Sequence, residues 1–476
     1  MQCQKFNDRW TFEKVDQDDR LKAFYGDDNK IIVTLPYDAM IREKRDKECP
    51  AGAQSGFYPG GVYTYEKSFL APEEWKNQDV VLEFEGIYGR VWINGALATV
   101  NRNGYMGFSV DLKPWICYGQ ENLIKIDVDN SNQPNSRWYT GSGIYRDVNL
   151  WTGKGVYIPH DEMKITTLSV NDDVAVVEVC ANVKNTKECS IEAKCYVELI
   201  FKGKTVVTEK QNIVFYSERK ETVRVQIPVK CPKKWSTDHP NLYQCCVKTY
   251  IGDEICDEYT VDFGIRTLTL DPVNGFQING ETVNLRGTCI HHDNGVIGAE
   301  TFPEAEWYRC KRLKEAGFNA IRSSHHPMSR AMLDACDHLG MLVMDELTDM
   351  WNRGKNTYDF SDIFKEEAPK WIHHMVDKDY NHPSVVIYSV GNEIQEAGTK
   401  QGSWINRSLC NRFHELDATR FTTNALNGLN CAGKRLKIIM KEVIEKFGMD
   451  TQGNGSGGGS NALNSFMSLM SGEKGE

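Results

Sequence analysis

The chain contains 476 residues, with 56 Lys and Arg against 66 Asp and Glu and a formal net charge of −10. This length predicts two to four domains and excludes a small disulfide-stabilised protein, while the charge balance argues against nucleic acid as the main partner. The first residues lack the apolar core of a signal peptide, and no apolar run is long enough to cross a membrane. We therefore expect a cytoplasmic protein without a membrane partner.

Fifteen cysteines are spread along the chain, an odd number without any C-x-x-C pair. This usage fits neither a disulfide framework nor a zinc ribbon. We expect buried, reduced thiols in a reducing compartment.

The first half of the chain consists of short runs in which apolar and polar residues alternate. Val177–Val183 and Val223–Ile227 are clear examples, and this period of two predicts half-buried antiparallel strands. Turn signals such as Lys202-Gly203 separate the runs. We expect two β-sandwiches, a jelly roll over residues 1–155 and an immunoglobulin-like sandwich over residues 156–267.

The last part of the chain, residues 268–476, alternates strands with helices. One helix begins at Pro303 and ends before Gly317, and the next is capped by Ser329 and ends at Gly340. The predicted buried face of the first helix contains Trp307, Cys310, Leu313 and Ala316. The predicted strands lie near residues 284, 318, 341, 385 and 421. They supply about five of the eight parallel strands of a (β/α)8 barrel, so we expect an incomplete barrel.

Ionisable side chains follow four of these strands at the point where each strand ends. They lie in the segments Leu285–Asp293, Arg322–His326, Asp345–Glu346 and Ser389–Glu393. The carboxyl ends of the strands form the face on which a (β/α)8 barrel builds its active site. The pattern therefore predicts a site at this edge of the sheet.

Each of these histidines and carboxylates could also have a purely structural role. A histidine pair such as His325-His326 is more often a loop or core-edge feature. His373-His374 are expected to be surface or packing residues of a helix, and Asp345-Glu346 suit an internal salt bridge. Nine of the eleven histidines follow residue 290, but no H-E-x-x-H pattern supports a metal-dependent hydrolase. A purely structural role is least favoured for Glu393. A carboxylate that ends an apolar strand is unfavourably desolvated unless it forms an ion pair or takes part in function.

Five short motifs occur in order along the chain: Val91–Gly95, Gly141–Arg146, Phe276–Gly280, Asn319–His325 and Gly391–Glu393. With these motifs the chain resembles glycoside hydrolase family 2, the family of β-galactosidases, β-glucuronidases and β-mannosidases. The resemblance covers nearly the whole chain. It implies a sugar-binding jelly roll, an immunoglobulin-like sandwich and a catalytic barrel, in that order.

The resemblance also implies roles for individual residues. Glu393 would be the general acid/base, Asn392 would bind the sugar 2-hydroxyl, and His291 and His325 would line the sugar pocket. Hydrolysis would proceed with retention, for which two carboxyl groups about 5 Å apart are required. No cofactor is expected. The segment after the third strand lacks the Glu and His that hold magnesium in some relatives, so we expect no metal, and only Asp349 leaves that question open.

The chain departs from the family pattern in its second catalytic carboxylate. The glutamates after Glu393 are Glu396, Glu415, Glu442, Glu445, Glu473 and Glu476. None of them ends an apolar strand. The segment Gly453–Ser460 has the composition of a flexible linker, and an artificially added linker is a less favoured alternative because an amphipathic segment follows it. We expect the nucleophile to lie beyond residue 476 and the chain to be an inactive fragment of a longer enzyme.

The predicted function is that of a retaining exo-β-glycosidase acting on terminal β-galactosides. The segments around His291 and His325 resemble the galactosidase branch of the family. The alternatives are a β-glucuronidase of the same family and a non-catalytic carbohydrate-binding protein. The expected partner is a β-galactoside or oligosaccharide, and the full-length enzyme could form a homo-oligomer.

Overall fold

The computed structural model describes residues 1–15, 30–428 and 431. The predictions for Glu442, Glu445 and the segment from residue 453 onward fall outside these described residues. The short 3₁₀ helices are Met40–Arg42, Gly52–Ser55, Glu73–Asn77, Gly295–Ile297 and Phe360–Asp362. Within the described part of the chain, no helix is long and apolar enough to span a membrane. The cytoplasmic location stays a prediction.

The amino-terminal unit is a two-sheet β-sandwich. Its strands are β1 (Gln2–Lys5), β2 (Trp10–Lys14), β3 (Ile31–Val33), β4 (Tyr37–Asp38), β5 (Val62–Leu70), β6 (Gln78–Phe84), β7 (Gly89–Ile93), β8 (Ala96–Asn101), β9 (Phe108–Asp111), β10 (Glu121–Asp129), β11 (Gly143–Ile144) and β12 (Val148–Lys154). One main sheet has the order β1-β12-β6-β9 and the other β3-β2-β5-β10-β7-β8, while β4 and β11 pair only with each other. Alternate residues such as Leu82 on β6 and Ile126 on β10 are fully buried between the sheets, as the period-two pattern requires.

The second unit is also a sandwich. Its strands are β13 (Val156–Tyr157), β14 (Met163–Val170), β15 (Val174–Asn185), β16 (Ile191–Phe201), β17 (Lys204–Phe215), β18 (Lys220–Lys230), β19 (Tyr243–Ile251) and β20 (Glu254–Phe263). Strand β15 pairs with β13, β14 and β18, while the facing sheet has the order β17-β16-β19-β20. The predicted strand Val177–Val183 is confirmed, and its four apolar side chains are buried against this facing sheet.

The third unit begins with a small antiparallel sheet and continues as alternating strands and helices. The small sheet contains β21 (Leu268–Asp271), β22 (Gly275–Ile278) and β23 (Glu281–Thr282). The following strands are β24 (Gly287–Ile290), β25 (Ala320–Ser323), β26 (Leu342–Glu346), β27 (Val385–Asn392) and β28 (Phe421–Ala425). The helices are α1 (Pro303–Glu315), α2 (Arg330–Leu339), α3 (Phe364–Asp379) and α4 (Lys400–Leu416). The five strands are parallel and paired in chain order, which confirms the expected partial barrel. Residues 155 and 267 remain our proposed boundaries between the three units.

The helix ends follow the local sequence rules. The Ser329 side chain accepts a hydrogen bond from the Met332 amide at the start of α2, and Gly340 ends that helix with a φ of +70°. The predicted buried face of α1 is partly wrong, because Trp307 is 41% exposed while Glu306 and Cys310 are buried. Residues spaced strictly by three do not stay on one face of a helix with 3.6 residues per turn. Trp307 therefore lies outside the buried face that contains Cys310.

The prediction that the cysteines are buried needs correction. All fifteen cysteines are free, as expected, but Cys3, Cys117, Cys189, Cys231 and Cys289 are exposed rather than buried. Exposure of a thiol on a strand or loop is tolerated because its side chain is small and weakly polar. The apolar strand Val385–Tyr388 lies inside the sheet, since β27 pairs with β26 and β28. In the described part of the sheet the unpaired edges belong to β24 and β28.

Gly340 tests the close contact between the barrel and the segment around Thr237, which precedes the barrel in the chain. A Cβ atom at Gly340 would lie 2.3 Å from the Thr237 carbonyl oxygen, whereas one at Gly280, which also has a positive φ, would meet no described atom within 4 Å. Both substitutions to alanine strain the backbone by about 1–2 kcal/mol, and Gly340→Ala adds an overpacking penalty of about 1–3 kcal/mol. Thermal unfolding should therefore show a clearly larger loss of stability for Gly340→Ala than for Gly280→Ala. Equal shifts would contradict this assignment of the contact.

Candidate active site

The carboxyl ends of the parallel strands border a cleft of about 290 Å³. Its lining residues are Arg137, Trp138, His291, Arg322, His325, Asn392 and Glu393. All four predicted site residues, Glu393, Asn392, His291 and His325, are therefore brought together at one place. Arg137 and Trp138 come from the amino-terminal sandwich, in the segment between β10 and β11. The cleft thus lies between the barrel and the first sandwich.

Glu346 is the buried anchor beneath the cleft. Its carboxylate is fully buried and accepts hydrogen bonds from Arg322 at 2.7–3.2 Å and from the Ser389 hydroxyl at 2.6 Å. The His325 ring nitrogen Nδ1 lies 2.6 Å from the other carboxylate oxygen. This arrangement confirms an internal salt bridge for Glu346, and it fixes the rings and guanidinium that line the cleft.

The side chain of Asn392 is held at both ends of its amide. Its oxygen accepts a hydrogen bond from Arg322 Nη2 at 2.8 Å, and its nitrogen donates to Asp349 at 2.8 Å. An asparagine amide nitrogen has two N–H groups, and these contacts use one of them. Asn392 therefore presents its second N–H in a fixed direction beside Glu393.

Asp349 is the second buried carboxylate near the cleft, and it is paired with the side chains of Arg137 and Lys355. It accepts hydrogen bonds from Arg137 at 2.6 and 2.9 Å, from the Lys355 ammonium at 2.7 Å and from Asn392. Burial alone would raise the pKa of Asp349, but the Arg137 guanidinium and Lys355 outweigh burial and lower that pKa. The carboxylate is thus kept ionised and occupied by protein donors. The prediction that no metal binds stays a prediction.

Glu393 differs from these carboxylates because its side chain is 41% exposed. The desolvation expected of a carboxylate at the end of an apolar strand is therefore only partial for Glu393, whereas the preceding Asn392 is buried. Glu393 has a φ of +45°, a left-handed conformation that is unfavourable for a non-glycine residue, and its amide donates to the Ala425 carbonyl oxygen at 2.7 Å. Its carboxylate lies 3.5 Å from Arg137 Nη1 and accepts a hydrogen bond from Asn427 at 3.1 Å.

The two histidine pairs divide between the cleft and the interior. His291 and His325 line the cleft, with ring centroids 5.1 and 5.6 Å from that of Trp138. Burial, followed by the neighbouring His325, lowers the pKa of His291. His292 and His326 are buried, and burial lowers the pKa of His292 to about 3. The first member of each pair is therefore accessible to a ligand from the cleft, while the second packs in the interior.

Sequence patterns did not reveal the contribution of the first sandwich. Arg137 and Trp138 lie in Asn130–Tyr139, a segment rich in Asn and Ser that resembles an ordinary surface loop. An arginine and two aromatic residues within such a loop are the one local signal of a functional role. Their position against the barrel depends on contacts between units that are distant in sequence, and a local pattern does not reveal such contacts.

Asp345 and Glu346 are adjacent in sequence but lie in different environments, because the side chains of successive strand residues point to opposite faces of the sheet. The Asp345 carboxylate faces the helices, where it accepts hydrogen bonds from the Met328 amide and from the Lys378 ammonium at 3.3 Å. Burial raises the pKa of Asp345 to about 7, and the nearby Asp379 acts in the same direction against Lys378. Asp345 therefore has no direct place in the cleft.

Three family models match successive parts of the chain. Residues 51–154 match the sugar binding domain of glycosyl hydrolases family 2, residues 156–266 match a second model described by the family name alone, and residues 272–451 match its TIM barrel domain. The chain belongs to glycoside hydrolase family 2. The sugar-binding match indicates a carbohydrate ligand.

Several known proteins of the family are similar over most of the chain. The β-galactosidase BoGH2A of Bacteroides ovatus is 34% identical over 394 residues, which are 82% of this chain and 46% of that protein. A β-glucuronidase of Bacteroides fragilis is 27% identical over 384 residues, 78% of this chain and 55% of that protein. The chain therefore spans about half the length of these relatives.

Solved structures agree with the fold. A family 2 member from Bacteroides cellulosilyticus is 35% identical with a TM-score of 0.85, covering 91% of this chain and 57% of that one. The Bacteroides uniformis β-glucuronidase is 25% identical with a TM-score of 0.78, covering 90% of this chain and 53% of that one. Both confirm the order of the two sandwiches and the barrel.

The raised pKa of Asp345 leads to a test of pH-dependent stability. Because its folded-state pKa of about 7 exceeds the ordinary value of 3.8, the folded protein holds a proton that the unfolded chain releases. The stabilising contribution is complete below pH 4 and is lost as the pH rises through about 7. Between pH 5 and pH 8, the wild type should lose about 2–3 kcal/mol relative to Asp345→Asn in thermal unfolding. Asp253→Asn, at a fully exposed position, is the control, and parallel pH profiles for all three proteins would contradict the assignment.

Proposed function

We propose that this chain is the amino-terminal portion of a retaining exo-β-glycosidase that hydrolyses terminal β-galactosides. The observation that carries this proposal is the position of Glu393, a solvent-accessible carboxylate beside the fixed amide of Asn392 in a cleft lined by Trp138, His291 and His325. Such a carboxyl group can exchange protons with a bound substrate and with water. Membership of glycoside hydrolase family 2 supports this chemistry.

The residues of the cleft have distinct proposed roles. Glu393 protonates the glycosidic oxygen in the first step and deprotonates water in the second. Asn392 uses its free N–H to bind the sugar 2-hydroxyl, a contact that strengthens in the transition state. His291 and His325 form the side of the sugar pocket, with Trp138 providing an apolar surface.

The second carboxylate of a retaining mechanism is not supplied by the described residues. The other carboxylates at the cleft belong to Asp349, which accepts from Arg137 and Lys355, and to Glu346, which is fully buried. Neither is available to attack an anomeric carbon. We propose that the nucleophile follows residue 476 in a longer polypeptide, and that the 476-residue chain binds sugar without hydrolysing it.

Charge pairing in the cleft favours a neutral sugar over a uronic acid. Arg137 and Lys355 are paired with Asp349, and Arg322 is paired with Glu346. A sugar carboxylate would therefore meet cations that are already neutralised. The 34% identity to BoGH2A points in the same direction, and β-glucuronidase activity is the alternative because relatives with that name also match.

The choice between these substrates can be measured directly on the longer enzyme that contains this sequence. Aryl β-galactosides should be cleaved at least tenfold faster, by kcat/KM, than aryl β-glucuronides with the same leaving group. A factor of ten corresponds to about 1.4 kcal/mol of differential transition-state binding. Equal or faster cleavage of the glucuronide would replace the galactosidase assignment with the alternative.

Glu393 has a specific kinetic signature if it is the general acid. In the longer enzyme, Glu393→Gln should reduce turnover of alkyl galactosides by about 10²–10⁴-fold, because a leaving group of high pKa needs the proton. Formation of the glycosyl-enzyme from an activated aryl galactoside should be much less affected. Glu415→Gln, at an exposed position on α4, should leave both rates unchanged. Equal losses on both substrates would assign Glu393 another role.

A further inference from the structure

A cavity of about 220 Å³ lies between the second sandwich and the barrel, at the opposite end of the parallel strands from the cleft. The second sandwich contributes β14 and the segment after β20, and the barrel contributes the segments that precede β27 and β28. These two segments adjoin the amino-terminal ends of their strands, whereas Asn392 in the cleft is the last residue of β27. The cavity is therefore a separate space that the proposed glycosidase chemistry does not use.

Two buried arginines lie side by side in the wall of this cavity. Arg266 follows β20 and Arg420 immediately precedes β28, and their exposed fractions are 9% and 4%. The Val385 carbonyl oxygen accepts hydrogen bonds from Arg266 Nη2 at 2.8 Å and from Arg420 Nε at 2.9 Å. This shared acceptor brings the two guanidinium groups close together, and such proximity is unfavourable for two like charges inside a protein.

Only Arg420 has a carboxylate partner among the described residues. Its Nη1 forms an ion pair with Asp417 at 2.5 Å, whereas Arg266 donates to two backbone carbonyl oxygens at 2.7 and 2.8 Å. Burial, followed by the neighbouring Arg420, lowers the pKa of Arg266 to about 9, although Asp417 and Asp337 act in the opposite direction. A buried cation without a directly paired anion is unfavourable. An anion in the cavity would stabilise Arg266.

The rest of the wall favours an anion that accepts several hydrogen bonds. Neither Asp nor Glu occurs among the described residues that line the cavity, while four threonines contribute hydroxyl groups to it. Within the described part of the chain, the hydroxyls of Thr167 and Thr267 donate to no protein group, so both are available to a ligand. Guanidinium groups bind phosphate oxygens through parallel N–H bonds. Two arginines with free hydroxyl groups beside them therefore suit a tetrahedral oxyanion.

We propose that this cavity binds a phosphate group, which contacts Arg266 and Arg420 at the junction of the second sandwich and the barrel. Inorganic phosphate and the phosphate monoester of a small sugar share this chemistry. The volume of 220 Å³ lies below the range of about 300–1,000 Å³ typical of drug-sized ligands, which favours a small anion. None of the residues that line the cleft borders this cavity. The inference is therefore independent of the proposed glycosidase activity.

Titration calorimetry of the 476-residue chain with inorganic phosphate tests this proposal without a glycoside. The ionic strength is held constant with NaCl, because salt screens charge interactions. Phosphate should bind at one site per chain, and Arg266→Gln should weaken binding by about tenfold or more, as expected for loss of a charge-assisted hydrogen bond. Arg266→Lys should retain part of the affinity because it keeps the charge. Arg224→Gln, a matched control at a position 66% exposed on β18, should leave the affinity unchanged.

Thr167→Glu provides a second test that leaves both arginines in place. A carboxylate in the cavity wall would pair with Arg266 and repel phosphate, so the affinity should again fall by about tenfold or more. Thr205→Glu, at an exposed position on β17, is its control and should bind phosphate like the wild type.

Titration with glucose 6-phosphate distinguishes the two sources of the phosphate group. Tighter binding than that of inorganic phosphate would assign the cavity to a phosphate monoester, and equal or weaker binding would assign it to inorganic phosphate. The phosphate site would be overturned if neither ligand binds the wild-type chain. Phosphate affinity that survives both Arg266→Gln and Thr167→Glu would equally overturn it, because the anion would then bind elsewhere.

Discussion

The fully buried carboxylate of Glu346 determines the geometry of the strand ends around the cleft. It stands at the end of β26, accepts from Arg322 on β25 and from Ser389 on β27, and so connects three neighbouring strands. Removing one partner would leave a buried charge uncompensated, which costs several kcal/mol in typical proteins. Arg322 extends the same network to Asn392. The orientation of Asn392, the residue before Glu393, is thus set by a buried charge.

The first sandwich is part of the same site rather than an independent sugar-binding module. Its Arg137 forms a two-pronged ion pair with Asp349 and also approaches Glu393, while Trp138 packs beside His291 and His325. Bidentate arginine–carboxylate pairs are directional as well as strong, so this contact sets the position of the loop relative to the barrel. A shift between the two units would therefore alter the cleft before it altered either fold.

Local patterns predicted the parts of the structure that depend on local rules. The alternation in Val177–Val183, the Ser329 cap and the Gly340 stop all have their expected structures, and the grouping of Asn392 and Glu393 with the histidines follows from parallel strands ending at one edge. The exposed side chain of Glu393 and the roles of Arg137 and Asp349 were not predictable in this way. These features depend on packing between the first sandwich and the barrel, which no single window of sequence encodes.

The carboxylates around the cleft differ in their burial. Glu346 and Asp349 are buried and accept hydrogen bonds from several protein donors, whereas the Glu393 side chain is 41% exposed and accepts from Asn427 beside Arg137. A retaining mechanism needs a second carboxylate that the substrate can reach. In the described sheet the unpaired edges belong to β24 and β28, and strands that close a barrel enter between such edges with their carboxyl ends facing the same side. Neither Glu346 nor Asp349 meets this need, and under the proposed function the second carboxylate belongs to a strand that would join one of these edges.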